Sequence, residues 1–588
     1  MCGINGVLRL RPDAPPLSRD ELLRTRDSMR SRGPDGEGAW FSPDGTIALG
    51  HRRLAIIDLS PGGAQPMARA GRYRLVFNGE IYNYRELRKE LEADGAAFQS
   101  QSDSEVILAL YEREQERLFP RLRGMYALAV WDEAQRQLVL ARDPDGVKPL
   151  YYATDAGQLR FASQVRALEA GGAVSTSVDP AGLVGFLLWG SVPEPFTIRE
   201  AVRAVPAGHA LVVRDGRVHE PQPHHRFGAG PMPHAGDVVT AVEDSVRAHL
   251  VADVPVGVFL SAGLDSAMLA AVAARARPEP LTTLTVRFEA FVGTPADEGP
   301  LAAELARALG TRHLEQVVPT RELVDVWPQA LAAMDQPSID GFNTWLVSRV
   351  AARQGLKVIL SGLGGDELFG SYPSFRQVPR WAQALRGTTW LAGLAPLWRR
   401  AARRFSPTRP KLAGSLTLPA TLPGAYLLRR GLFLPEELGA LVGSEVAEAG
   451  LRRYDPFADA GKCLSGPLAS GWPAVHAMES TQYMRNQLLR DCDWASMAHS
   501  LEVRVPFVDT RLRAAVAAAG YEPARSAGKR ELAERVAPGL PLAVANRRKT
   551  GFVIPAHALV PERGRHTAGL DSRALALQVL DAFGMAPR

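Results

Sequence analysis

Residues 254–272, VPVGVFLSAGLDSAMLAAV, decide how the larger part of this chain is read. The opening VPVGVFL is apolar and β-rich and predicts a buried strand, while DSAMLAAV and the residues after it predict a helix. Between them lies Ser261-Ala262-Gly263-Leu264-Asp265-Ser266, whose small residues let backbone N–H groups turn inward. A helix N-terminus follows at once, so the turn is suited to an anion. It lacks the lysine of a GxxxxGK[ST] loop and carries Asp265 instead. An acid beside a phosphate cradle makes chemical sense as a ligand of Mg²⁺; the alternative is a tight turn with Asp265 as helix cap.

A second segment, KVILSGLGGDELFGSY (357–372), repeats the grammar of strand, glycine turn and acid, ending in Asp366 and Glu367. Helices over 237–250, 265–277 and 297–310 alternate with strands over 254–260, 281–288 and 357–362, the pattern of a parallel α/β sheet. Two parallel strands ending in such turns bring Asp265 and Asp366 to one sheet edge, where open α/β sheets bind ligands. There the pair could share magnesium on a polyphosphate.

The first 170 residues read differently. Short strands (TIALGHRRLAII, 46–57; YRLVFNGEIYN, 73–83) are separated by Gly, Pro and Asp turns. Helical periodicity covers 82–93 and 104–114, and MYALAVWDEAQRQLVLARD (125–143) alternates as a hairpin. The Pro- and Gly-rich stretch 206–236 reads as a linker, giving domains of 1–205 and 237–588. Residues 380–470 are Leu/Ala/Arg-rich and helical in composition.

Composition narrows the class. With 588 residues, 46% hydrophobic and 22% charged, the chain is globular and multidomain rather than disordered. A net charge of +6 without an aromatic-interleaved basic stripe argues against nucleic acid. No apolar run approaches a membrane span, Leu183–Trp189 being far too short. The three cysteines, Cys2, Cys463 and Cys492, have no metal-ligand spacing, which fits a reducing, cytoplasmic setting. Cys2 in MCGINGVLRL has two readings: a small residue entering a strand, or, after removal of Met1, a thiol and a free α-amine on one residue.

These segments together resemble the glutamine-hydrolysing asparagine synthetases. SAGLDS is similar to the pyrophosphate loop of ATP pyrophosphatases, and SGLGGDELFGSY (361–372) and SMAHSLEVRVPFVD (496–509) resemble the synthetase half. MCGI, RGPDG (32–36), GHRRLAIIDLS (50–60), FNGEIYNY (77–84), SDSE (102–105) and ARDPDGVKPLYY (141–152) resemble its class II glutamine amidotransferase half. The resemblance implies a four-layer αββα Ntn-hydrolase domain followed by a parallel α/β ATP-pyrophosphatase-like (adenine nucleotide α-hydrolase-like) domain.

It also implies roles. Cys2 would attack glutamine with its own α-amine as base, and Asn78 and Gly79 would form the oxyanion hole. Arg53 would hold the glutamine α-carboxylate, and Glu80 and Asp103 its α-ammonium. Ser261, Gly263, Asp265 and Ser266 would bind pyrophosphate, and Leu260, Val286, Ser361 and Gly362 would line the adenosine site. Asp265 and Asp366 would hold Mg²⁺, and Lys529 would stabilise the adenylation transition state. ATP, glutamine and a carboxylate are the implied substrates, ammonia passing internally from Cys2, with 142–152 near the domain junction. A homodimeric assembly is compatible with the family.

Four positions depart from the family pattern. Leu363 stands where well-characterised members carry glutamate, and DQPSIDGFNTW (335–345) diverges beside the expected acceptor pocket. Gln164 replaces a usual glutamate, and Arg287 a common glycine. Two acceptor readings therefore stand: aspartate, or another carboxylate such as a uronic acid or a biosynthetic intermediate.

Overall fold

The computed structural model describes residues 2–228, 237–387, 393–394, 397–398, 411, 414, 416–520, 528–547 and 568–585. Two antiparallel sheets and one parallel sheet organise them.

Thirteen strands precede residue 224. They are β1 (Gly3–Arg9), β2 (Gly36–Phe41), β3 (Ile47–Arg53), β4 (Met67–Arg69), β5 (Tyr73–Ile81), β6 (Gly124–Asp132), β7 (Gln137–Arg142), β8 (Tyr151–Asp155), β9 (Gln158–Ala162), β10 (Val202–Ala204), β11 (His209–Arg214), β12 (Arg217–Val218) and β13 (Gln222–Pro223). One sheet has the order β10-β8-β9-β1-β3-β2; the other runs β12-β11-β7-β6-β5-β4, with β13 on β11. The sheets face each other through Ile4, Leu49, Val76, Trp131, Leu140 and Leu211. Helices Tyr84–Ala93 and Asp103–Glu114 cover the outer face of the second sheet at Leu75, Phe77 and Leu128. Helix Arg19–Ser28 covers the first sheet at Val7 and Ala48, and helix Val165–Gly171 packs at Tyr151 and Ala162. Strands β5 and β6 are buried on both sides, so they read as near-continuous apolar runs rather than as a clean alternation. The result is the expected four-layer αββα sandwich.

The stretch 206–236 corrects the expected linker. Its first part supplies β11, paired to β7 from Ala210↔Ala141 to Arg214↔Gln137, together with β12 and β13. Pro and Gly there serve the turns between short strands rather than a connection between domains. Residues 229–236 lie outside the described ones.

The second unit is built on β14 (Val256–Phe259), β15 (Thr282–Phe288), β16 (Arg312–Val318), β17 (Val358–Leu360) and β18 (Glu502–Arg504). Every pairing in the order β16-β15-β14-β17-β18 is parallel. The chain leaves β14 in one direction and reaches β17 on the other side, so the crevice opens where these two strands end. Helix Leu264–Arg275 starts at that end of β14 and is buried from Ser266 to Ala273. The described parts of 411–470 are short helices, including Leu422–Arg430 and Ser444–Arg453. Among the described residues no helix is long and apolar enough to cross a membrane; Pro180–Trp189 is a buried ten-residue helix.

The two units share a polar seam. Asp335 accepts hydrogen bonds from Val165 N–H (3.1 Å) and Arg166 N–H (3.0 Å), capping helix Val165–Gly171 from the other domain. Gln164 at the cap position makes no capping bond of its own, so its departure from the family pattern leaves that task to Asp335. Gln336 donates to Tyr151 Oη (3.1 Å), placing segment 142–152 at the junction as expected.

Candidate active sites

Cys2 enters β1 at the inner end of the sandwich and is buried. Burial pushes its thiol pKa up, so a thiolate is disfavoured until a base takes the proton. Its backbone N–H donates to Asn78 Oδ1 (3.0 Å). That bond fixes which end of the amide is which: Nδ2 is the other end, buried and without a hydrogen-bond partner. Asn78 and Gly79 lie on β5, opposite Ala127 and Tyr126 of β6. A Cβ at 79 would strike the Met125 carbonyl oxygen, which accounts for glycine there.

Around this centre stand the other glutaminase candidates. Arg53 ends β3, one position past the Arg52–Gly3 pair, and donates to the Ser60 carbonyl (2.9 Å) and to the Asp58 carbonyl. Its guanidinium therefore also braces the loop over 57–60. Asp103 opens helix Asp103–Glu114 and accepts from Ile81 N–H (3.0 Å); burial lifts its carboxyl to about 6. Glu80 is buried, and burial together with Glu502 pushes its carboxyl well above the usual range.

Glu80 also reaches across the seam, with Oε2 lying 3.4 Å from Arg504 Nη2 on β18. Arg504 donates to Glu502 (2.6 Å) and to the carbonyls of His249 (2.8 Å) and Val251 (2.6 Å), capping helix Val238–His249 at its C-terminal end. Burial alone would raise Glu502, yet the positive charge of the chain's N-terminus and then Arg504 hold it down at about 2. Arg32 of the RGPDG motif makes a second crossing. It donates to the Cys2 carbonyl (3.1 Å) and grips both carboxylate oxygens of Asp493 (2.6 and 3.1 Å). Lys148 lies buried close by; burial lowers its pKa against the pull of Asp493 and Glu502.

The crevice of the parallel sheet holds a cavity of about 540 Å³. All eight residues expected for ATP, Leu260, Ser261, Gly263, Asp265, Ser266, Val286, Ser361 and Gly362, line it. The turn is locked locally: Ser266 Oγ donates to the Ser261 (3.0 Å) and Gly263 (3.0 Å) carbonyls and takes the Ser261 N–H (3.1 Å). Asp265 is not the helix cap; that position is Gly263, and Asp265 sits in the first turn. Lys529, on helix Gly528–Val536, puts Nζ 2.5 Å from Asp265 Oδ2 and 2.9 Å from Asp366 Oδ1. Burial works against its charge, but the two carboxylates raise its pKa on balance. Two hard carboxylate oxygens converging on one cationic point fit a magnesium ion shared with substrate phosphates. Among the described residues no cluster of three or more His, Cys, Asp or Glu offers an all-protein metal cage.

Leu363 lines the same cavity, as do Asp340, Leu488, Asp491 and Cys492. Asp491 accepts from Ser338 Oγ (2.6 Å) and Trp494 Nε1 (2.8 Å), and burial with Asp340 nearby lifts it to about 7. Arg287 is occupied elsewhere, paired to Asp297 (2.5 Å) and Glu315 (2.6 Å). The two sites are a short relay apart, because Cys492 lines the cavity while its neighbour Asp493 holds Arg32 against Cys2.

Arg32, Asp493, Arg504 and Glu502 carry this architecture, and sequence reading gave them no role. The one available signal was the EVRV run: Glu502 and Arg504 share a strand face between apolar neighbours, the spacing of a buried pair. Arg32 and Asp493 offered no such signal.

Comparison with known proteins agrees with this layout. A glutamine amidotransferase domain family matches residues 1–225, and the asparagine synthase family matches residues 237–575. A protein of Mycobacterium tuberculosis (strain ATCC 25618 / H37Rv) is 35% identical over 91% of this chain and 84% of its own. Asparagine synthetase [glutamine-hydrolyzing] 1 of Bacillus subtilis (strain 168) is 32% identical over 94% and 87%. With both halves matched in order over most of its length, the chain belongs to the glutamine-hydrolysing asparagine synthetase family.

Proposed function

We propose that the protein makes asparagine from aspartate, glutamine and ATP, with the two sites acting in sequence. The observation that carries this reading is Lys529 held between Asp265 and Asp366 in the crevice, beside a chain segment tied to Cys2.

In the first site, removal of Met1 frees the Cys2 α-amine, which takes the thiol proton as Sγ attacks the glutamine side-chain carbonyl carbon. The oxyanion forms against Asn78 Nδ2 and Gly79 N–H; one such donor contributes about 3–4 kcal/mol. The C–N bond breaks, ammonia leaves with the returned proton, and water cleaves the thioester to glutamate. Arg53 takes the α-carboxylate of glutamine, and Asp103 and Glu80 its ammonium.

In the second site, an oxygen of the acceptor carboxylate attacks the α-phosphorus of ATP, and the bond to pyrophosphate breaks. Ser261, Gly263 and Ser266 hold the departing pyrophosphate, and Lys529 offsets the charge that builds on the α-phosphate. A magnesium ion held by Asp265 and Asp366 would neutralise phosphate charge when bound. Ammonia from Cys2, passed through the shared interior, attacks the acyl carbon; AMP leaves and the nitrogen sheds a proton to give the amide.

Incubation with aspartate, glutamine, ATP and Mg²⁺ tests this: asparagine and AMP should appear in equal amounts. Absence of AMP-linked asparagine would sink it. A second reading keeps the chemistry and changes the carboxylate, favoured by Leu363, an apolar side chain in the lining of the cavity.

A further inference from the structure

Beside the nucleotide cavity lies a second one of about 260 Å³, and Asp340 lines both. We propose that this second cavity is an acceptor subsite for a hydroxylated ring bearing the carboxylate to be amidated, a uronic acid in chemical class. The proposal rests on the amide-forming reading above and extends its acceptor range.

The cavity has a built wall. Gln482, Tyr483, Asn486 and Gln487 line it, all from Glu479–Leu489, an eleven-residue run of π-helix. Such runs are rare, and in proteins they gather at functional sites. The i→i+5 winding brings 482, 486 and 487 to one face, which an ordinary α-helix would spread more widely.

Two polar side chains in this wall lack partners. Gln487 is 6% exposed and Ser191 is 3% exposed, and neither side chain makes a hydrogen bond among the described residues. Buried polar groups are normally satisfied, and an amide and a hydroxyl facing one cavity are suited to the hydroxyls of a ligand.

Aromatic rings supply the rest. Trp189 and Tyr426 lie 5.8 Å apart, and their polar ends are already spent: Trp189 Nε1 donates to Tyr454 Oη (2.6 Å), and Tyr426 Oη donates to Glu479 (3.3 Å). What they offer a ligand is apolar surface, against which the C–H face of a sugar ring can lie.

The charges point the same way. Arg430 is balanced in charge by Glu479 at 2.8 Å and lies over the Tyr483 ring at 3.9 Å, while its buried Nη2 makes no hydrogen bond and can donate to a ligand oxygen. Asp340 takes a hydrogen bond from Gly341 N–H (2.9 Å) and, at the junction, is an acceptor for hydroxyls. The ligand's carboxylate has to reach the nucleotide cavity, where ATP activates it, and its uncharged, hydroxylated body then occupies the smaller one, with Asp340 between them.

The test uses the full chain with ATP, Mg²⁺ and ammonium chloride, reading AMP release with aspartate, glucuronic acid or galacturonic acid. Binding of each uronic acid is measured in parallel by calorimetry. At least one uronic acid should bind and support AMP release. Gln487→Leu and Ser191→Ala should each lower the uronate-to-aspartate ratio of kcat/KM at least tenfold, aspartate turnover reporting an intact fold. Failure of both uronic acids to bind, or an unchanged ratio in both variants, would overturn the subsite. Absence of AMP with every acceptor, while uronate still binds and Gln487→Leu weakens that binding tenfold, would sink the amide-forming reading and leave the subsite standing.

Discussion

Arg32 and Asp493, from opposite ends of the chain, form a bidentate ion pair at 2.6 and 3.1 Å whose side chains are 0% and 3% exposed. The same guanidinium donates to the carbonyl of Cys2. The residue bearing the thiol is thus positioned partly by the synthetase domain. Removing one partner of a buried pair leaves the other charge uncompensated, at a cost of about 3–5 kcal/mol. Asp493→Asn should lower the thermal midpoint and slow glutamine hydrolysis although it lies outside the glutaminase domain. Replacing both residues, Arg32→Met with Asp493→Leu, should recover most of the midpoint but not the hydrolysis. A single variant with wild-type melting and turnover would contradict this.

Cys2→Ala should abolish glutamine hydrolysis and leave amide formation from ammonium chloride within about twofold of the unmodified enzyme, because the second site is separately built. An uncleavable residue in front of Cys2 should have the same effect, since it turns the basic amine into an amide. Glutaminase and ammonia-dependent rates, measured on one preparation, separate these outcomes. Hydrolysis that survives a verified extension would remove the amine from the mechanism.

Asn78→Asp keeps an oxygen for the Cys2 N–H and deletes the unpartnered Nδ2 donor. The expected result is a fall of about 10²–10³ or more in kcat for glutamine, with ammonia-dependent synthesis unaffected. A fall confined to KM would place the side chain in ground-state binding instead.

Much of this was legible in the sequence where chemistry is local. SAGLDS and GLGGDE each carry their strand, turn and acid within a dozen residues, so the crevice between β14 and β17 followed from spacing alone. The polar seam was not legible as a seam: Arg32–Asp493 and Glu80–Arg504 join residues hundreds of positions apart, and the EVRV alternation marks Arg504 as buried without naming its partner across the domains. The supposed linker failed for a related reason: β11 is short and flanked by Pro and Gly, and only its pairing with β7 identifies it as sheet.

Asp103 gives the glutaminase an acid limit. Its carboxyl, raised by burial to about 6 from roughly 3.9 in an open chain, gains a proton as pH falls through 6. A raised acid holds its proton more tightly folded than unfolded. Between about pH 6 and 4, then, acidification favours the fold through this group while it removes the charge that meets the glutamine ammonium. KM for glutamine should rise about tenfold from pH 7.5 to pH 5, with the thermal midpoint not falling in step on this account. A KM flat across that range would show that Asp103 is ionised throughout or does not bind substrate.

Lys529 separates the two half-reactions. It bonds both Asp265 and Asp366, and it reaches them from a helix in the C-terminal part of the chain. Lys529→Met preserves much of the aliphatic stem but removes its charge from between the two carboxylates. AMP and pyrophosphate formation should fall by at least 10², even with saturating ATP and ammonium, while glutamine hydrolysis continues. Lys529→Arg should not restore the rate, because a planar guanidinium cannot take the place of a compact ammonium between two carboxylates. Pyrophosphate release measured beside glutamate release distinguishes this from a folding defect, which would lower both. If Lys529→Met kept its pyrophosphate release, the charge opposing the developing transition state would have to come from another residue of the cavity.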